Sequence, residues 1–401
     1  QPLKPPAQPV QISQPNHCIA QYNQLFLQRF SGRERQMAEL MKDKMLELGF
    51  DEAVFDRLGN VIGTIHGKRP GKTILMDGHI DTVDVIDEAQ WTHGPFSGEI
   101  ADGKIYGRGA SDMKGSDCAM VMAAGRFAAQ TKKDFAGTIC VSGTVHEECF
   151  EGVAPREVTK RVKPDFVIVG EATSTSIKIG QRGRAEVVVE TEGVSCHSSN
   201  PEKGVNAVYG MMAVIEEIRK IVPNEHPLLG RGILELTDIV SAPYPGASVV
   251  PAACRATFDR RTLVGEDEAV ILGQVEEAIA RAQEKHPEIK ARCYLATGTE
   301  ACWTGDTISA KRYFPAWVVD ENSELVVKAR RGLEAAGIEA PLSHFSFCTN
   351  GSSFCGEAGI PTIGYGPSLE SLAHVRDEYI EISQLTKACR GFASILAELT
   401  R

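Results

Sequence analysis

The chain predicts an α/β fold with a mixed central sheet, interrupted by an inserted ferredoxin-like α+β domain. Three observations carry that prediction. Several short apolar strands end in Asp, Glu or His and alternate with helical stretches, as in an open sheet whose connections are helices. From Gly183 to about Ala296 the order becomes β-α-β-β-α-β, the split ferredoxin-like arrangement. After Ala296 the chain returns to its first composition. The boundaries that follow are an extended arm over 1–20, the first part of the larger domain over 21–182, the insert over 183–297, and the remainder over 298–401.

Bulk properties narrow the function. The 401 residues are long enough for two domains and a substantial core. A net charge of -10, with no basic stripe interleaved with aromatics, argues against non-specific nucleic-acid binding. The 11 cysteines are scattered and form no CxxC, so reduced thiols and a cytoplasmic location are expected rather than a disulfide framework. No apolar run approaches the roughly 18 residues of a membrane span. The start, QPLKPPAQPVQISQP, lacks the basic and apolar regions of a signal peptide and reads as an extended arm.

In order, helical periodicity predicts a helix from about Tyr22 to Leu48. Short strands follow over 60–66 and 73–76, with RPGK as a turn between them. The glycine-dense stretch PFSGEIADGKIYGRGASDMKGS leads into a helix over 118–129, and strands follow over 138–145 and 165–169. The insert reads as strand 184–191, helix 205–221, strands 233–240 and 253–258, helix 266–284 and strand 289–295. A helix over 325–336, a short strand in TIGYGP and a last amphipathic helix over 383–399 complete the chain.

Four segments present Asp, Glu or His where a strand ends or a helix begins. In LMDGHIDTV, His79 and Asp81 are two apart, so an extended chain puts them on one face, ~7 Å apart. A satisfied histidine and a metal ligand both fit that pattern. Asp112 can serve a helix start by accepting free backbone N–H groups. The run HEECFEG sets His146, Glu147, Glu148 and Glu151 after a buried strand, either as a solvated loop or as like charges offset by a cation or a proton. Glu171 follows a strand in the same way. With His374, these residues make a set of imidazoles and carboxylates suited to zinc, where a carboxylate can bridge two ions about 3.5 to 4 Å apart.

The strings MDGHIDTV, GRGASDMKG, HEE and GEAT, followed by His374 in SLAHVRDEY, resemble the M20 family of metallopeptidases, from about residue 25 to the end. That family includes acetylornithine deacetylase, succinyl-diaminopimelate desuccinylase, glutamate carboxypeptidase and aminoacylases. HEECFEG and FCTNGS resemble most its YgeY-like selenium-metabolism hydrolase subgroup. The resemblance implies a zinc-exopeptidase-like catalytic domain and a dimerisation or lid insert in a homodimer. It implies two divalent ions, zinc first with cobalt or manganese as alternatives. His79 and Glu171 would hold one, Glu148 and His374 the other, and Asp112 would bridge. Asp81 would orient His79, and Glu147 would act as general base on a metal-bridging water. The substrate would be an N-acyl amino acid or small dipeptide-like amide with a free carboxylate. A carbamoyl or ureido hydrolase, or a silent metal- or peptide-binding homologue, are the alternatives. His197, in GVSCHSSNPEKG, would stabilise the oxyanion in the partner subunit's site. Asn206 would contact substrate or merely start a helix. Arg260, with Arg261 beside it, would clamp the substrate carboxylate or make a domain-surface ion pair, and Gly366 would offer that carboxylate a backbone N–H or simply serve the turn. Ser116 and Asp117 depart from the family's paired glycines, and Ser368 departs in the loop that shapes the pocket.

Overall fold

The computed structural model describes residues 31–401. The expected arm and the first turns of the helix expected from Tyr22 lie outside that range. The described chain forms two compact units. One comprises 31–181, 299–308 and 317–401, and the other 182–298 and 309–316.

The first unit is built on a nine-stranded sheet. Its strands lie in the order Glu52–Phe55, Val61–His66, Ala136–Thr144, Arg69–His79, Phe166–Val169, Thr362–Gly364, Ile177–Gln181 and Trp317–Val318, with Leu342–Phe345 also pairing to Ile177–Gln181. The central strand Arg69–His79 runs parallel to both neighbours, and Thr362–Gly364 continues the parallel set. Strands buried on both faces read as unbroken apolar runs, and TILM and FVIV are such runs. Helices Gly115–Thr131, Glu324–Ala335 and Ile382–Leu399 bury Ala, Met, Leu and Phe in this unit. RPGK is not a turn. Those residues open the strand Arg69–His79, where a register shift between Arg69 and Thr73 absorbs Pro70 at an exposed end of the ladder.

The second unit has the order read from sequence. Strand Gly183–Glu192, helix Ala207–Ile218, strands Ile233–Ala242 and Ala253–Thr262, helix Glu268–Lys285 and strand Lys290–Leu295 make an antiparallel sheet. From one edge to the other its strands begin at 233, 253, 183 and 290. Both helices pack on one face, over a core of Val187, Val189, Ala256, Phe258, Met211, Val214, Ile271 and Val275. Each helix starts on a side-chain cap, Asn206 to the Val208 N–H and Asp267 to the Val270 N–H. Residues 309–316 also belong to this unit, and Tyr313–Phe314 pairs with Gly183–Glu192. A linear reading stops the insert at 297 because this two-residue strand is too short to leave a pattern.

Candidate metal centre

Parallel pairing brings the candidate residues to one edge. His79 lies opposite Thr144, and Asp77 opposite Val169. The residues just past those strand ends therefore emerge together: Glu147 and Glu148 after one, Glu171 after the other. Ligand sites of open α/β sheets lie at such carboxyl ends. Asp112 enters on the loop before helix Gly115–Thr131, and His374 on the segment after Thr362–Gly364.

The side chains converge on Asp112. Its Oδ1 is 2.9 Å from His79 Nε2, and its Oδ2 is 3.1 Å from His374 Nε2. His79 Nε2 is also 3.6 Å from Glu171 Oε1, and His374 Nε2 is 2.9 Å from Glu148 Oε2. Two overlapping sets, His79–Asp112–Glu148 and His79–Glu147–Glu171, each hold their ligand atoms within 4.8 Å of one another. Glu147 is thus close enough to ligate as well as to move a proton. His146 is buried apart from these sets, its Nδ1 3.5 Å from Cys149 Sγ.

Burial raises the proton affinity of the surplus carboxylates. Glu147 and Glu171 are pushed well above the usual range by desolvation, reinforced by neighbouring carboxylates. Glu148 is raised by burial and by the charge of Asp112. Asp112 is also buried, but hydrogen bonds from both histidines outweigh this and lower it. Those bonds, with the one to Glu148, push His374 up to about 10. Burial opposes charging of His79, but Asp112 and Asp81 hold it well above its usual value. Four clustered carboxylates against two imidazoles leave excess negative charge, which protons or cations must offset. The donors are imidazole nitrogen and carboxylate oxygen, the set that fits borderline divalent ions.

Asp81 lies beside His79 and has further partners besides. His79 Nδ1 lies nearer the Asp81 main-chain oxygen (3.1 Å) than its carboxylate (3.5 Å). The carboxylate also accepts the N–H groups of Glu147 and Glu148, each at 3.1 Å, and the Ser31 hydroxyl at 2.6 Å. It thereby fixes the turn that presents both glutamates.

Gly366 does not offer a free N–H. That group donates to Thr173 Oγ1 at 3.0 Å. A Cβ at Gly366 would meet the carbonyl oxygens of Gly170 and Glu171 at 2.2 and 2.3 Å, so glycine is needed for close backbone approach beside Glu171. Ser368 is buried, with its hydroxyl 2.7 Å from that of Ser111.

His197, Asn206 and Arg260 belong to the second unit. His197 is exposed, and its Nδ1 accepts from the Ser199 N–H at 3.1 Å, which leaves Nε2 as the protonated nitrogen of the neutral ring. Asn206 spends its side-chain oxygen on the Val208 N–H. Arg260 points into the core, 1% exposed, with Nη2 2.9 Å from Glu266 Oε1. Strand alternation turns Arg261 to the opposite, accessible face, where it meets Asp259 at 2.7 Å. Of the pair left open by the sequence, Arg261 is the one on an accessible face.

Residues 75–398 match the sequence model of the peptidase family M20/M25/M40. The chain is 33% identical over 368 residues to the uncharacterized protein YgeY of Escherichia coli, covering 90% of this chain and 89% of that one. It is 29% identical over 361 residues to a succinyl-diaminopimelate desuccinylase of Cereibacter sphaeroides, covering 86% and 89%. Among solved structures it is similar to the aminopeptidase PepT of Bacillus cereus, with a TM-score of 0.74, 18% identity and coverage of 97% and 99%. Human carnosine dipeptidase 1 superimposes with a TM-score of 0.71, 15% identity and 96% coverage of each chain.

Proposed function

The chain belongs to peptidase family M20/M25/M40 and is a metal-dependent hydrolase of amide or peptide bonds, and from that premise we propose that its substrate is an N-acyl amino acid or small dipeptide-like amide with a free carboxylate. The observation that carries the reading is Asp112, with one carboxylate oxygen facing each of two histidines that each have a glutamate beside them. Asp112 is shared, His79 and Glu171 complete one ion site, and Glu148 and His374 complete the other. Two imidazoles favour zinc over an all-oxygen magnesium shell, with cobalt and manganese as workable substitutes. Bound there, the ions supply Lewis acidity that polarises a carbonyl and acidifies water.

The chain's own groups do the rest. Glu147 is left over once the ligand set is assigned. Its buried carboxylate, with raised proton affinity, takes a proton from the attacking water at Oε and returns it to the leaving nitrogen. His79 keeps its Nδ1 proton on the Asp81 carbonyl, which fixes the ring and leaves Nε2 for the ion. His197 Nε2–H is the donor for the developing oxyanion, supplied by a second copy of the chain. Arg261 is the carboxylate clamp, because Arg260 is spent on Glu266.

The 33% identity to YgeY over nearly the whole chain supports placement in the YgeY-like subgroup, and buried cysteines outside any disulfide, such as Cys140, Cys254 and Cys302, suit a reducing cytoplasm. The test is a panel of N-acyl amino acids, dipeptides and ureido acids assayed with zinc, cobalt and manganese, alongside Glu147→Gln. The variant is expected to retain two ions while turnover falls at least about 100-fold. Parental activity in that variant would sink the assignment. Hydrolysis of ureido acids alone would select the carbamoyl alternative.

A further inference from the structure

The loop that carries Asp112 has an unusual anchoring problem. Asp112 sits at φ -124, ψ 93, outside helical geometry, and the regular helix begins only at Gly115. The N–H groups ahead of it therefore need acceptors other than a preceding helical turn. The Gly107 carbonyl takes the Ala110 N–H at 3.0 Å, and one side chain supplies the rest. Glu378, fully buried, accepts from the Ser111 N–H at 2.8 Å and the Asp112 N–H at 3.0 Å through Oε1. Its Oε2 accepts from the Gly109 N–H at 3.1 Å and from Arg108 Nη1 at 2.7 Å. Its own carbonyl accepts the Gly107 N–H at 2.9 Å. Beyond it, Tyr379–Glu381 pairs antiparallel with Lys104–Tyr106, so backbone and side chain grip the same segment.

Glu378 also lies four residues after His374. We propose that Glu378 is a positioning residue of the metal centre, a buried carboxylate that ties the loop bearing the shared ligand Asp112 to the segment bearing His374. The proposal rests on the dinuclear reading above and goes beyond it, because it predicts that the two ion sites depend unequally on Glu378. His79 and Glu171 issue from neighbouring strands of the central sheet and keep their places without it. Asp112 and His374 do not. Both sites share Asp112, but the one completed by Glu148 and His374 has a second ligand, His374, on the segment that Glu378 ties down.

The experiment uses Glu378→Gln in the full chain, stripped with chelator and titrated with cobalt(II), read by calorimetry and by visible absorption of the bound ion. Gln keeps the shape but turns an amide NH2 toward backbone N–H or guanidinium donors. The expected result is two ions on the parent. On the variant, one should bind within about threefold of the parent and the other about 10- to 100-fold more weakly, with a changed cobalt band. Arg108→Gln removes the ion pair but leaves the Ser111 and Asp112 bonds, and should keep both affinities within about threefold. If Glu378→Gln does not fold, Glu378→Asp, shorter by one methylene, is expected to show the same selective weakening. Parental binding and spectrum in the glutamate variant would overturn the proposal. So would equal weakening of both sites, or an Arg108→Gln effect as large as that of Glu378→Gln. A parent that binds fewer than two ions would overturn the dinuclear reading, and this proposal with it.

Discussion

Removing the ions should make the protein's stability depend on pH in a direction opposite to ordinary acid denaturation. Without a cation, Glu147, Glu148 and Glu171 hold protons more tightly than they would in an unfolded chain, first because they are buried and then because they crowd one another. A carboxyl raised in the folded state destabilises that state as pH climbs from its unfolded value near 4.5 toward its folded value. The histidines add to this with the same sign. Stabilisation from His79 and His374 is full below about pH 6.5 and is lost as pH rises through their raised values, about 10 for His374. His374 is 52% exposed, so solvent screens its share and the buried groups dominate. Asp112 runs the other way, losing its contribution only in strong acid, below the window in question. The folded apoprotein therefore binds more protons than the unfolded chain between about pH 5 and 8, and its Tm should fall across that range. Cation binding expels those protons. Each proton released makes the apparent affinity rise about tenfold per pH unit, so an ion that displaces one proton should bind about 100-fold more tightly at pH 8 than at pH 6. Calorimetric titration in buffers of different ionisation enthalpy counts the protons directly. A flat or rising apoprotein Tm, or zinc binding without proton release, would refute the reasoning.

Gly366→Ala should force the backbone away from the Gly170 and Glu171 carbonyls, costing about 1–3 kcal/mol in urea unfolding and lowering metal occupancy, since neither carbonyl is a flexible side-chain end that can swing aside. Arg260→Met should cost about 3–5 kcal/mol by stranding buried Glu266, whereas Arg261→Met should leave stability within about 1 kcal/mol and raise KM for carboxylate-bearing substrates. The reverse pattern would return the clamp to Arg260. Ser31→Ala removes the 2.6 Å hydroxyl bond to Asp81 and should lower kcat more than metal content, because Asp81 holds the turn bearing Glu147. An unchanged kcat would count against that route.

The residues gathered around Asp112 were legible as candidates because their type and, for His79, Glu147, Glu148 and Glu171, their place after a strand carry information, while their assignment to ions came from the family resemblance. Apolar runs announced the strands, and the charged residue after each run announced the edge. The residues that act through the backbone left no such mark. Ser111 and Glu378 are 267 positions apart, and the acceptor is an ordinary glutamate in a short loop before a three-residue strand. The only available hint was its closeness to His374, which spacing alone does not turn into a contact. Gly366 was misread for a related reason. A glycine in a turn suggests a free N–H, yet its use here is absence of a side chain against two carbonyls. Arg260 and Arg261 were separable in principle. Strand alternation places Arg260 on the face of Ala256 and Phe258, and both of those are core residues.

These misreadings share a cause with the chemistry. Wherever Asp112, Glu147 and Glu148 are held, they are held by main-chain N–H groups donating to buried carboxylates, Glu378 for the first and Asp81 for the other two. Such bonds fix the position of a residue without engaging its side chain, and among these carboxylates Glu148 also accepts the Val83 N–H at 3.2 Å through Oε1. A neutral side-chain acceptor would make weaker bonds to those N–H groups, and a cationic one would make none. Burying still more acid around an already acidic cluster is costly, and the raised proton affinity of Glu378, to about 7, records that cost. Arg108 supplies positive charge to Glu378 directly, at 2.7 Å. The acidic supports add to the negative charge around Asp112 that a cation or a proton would offset.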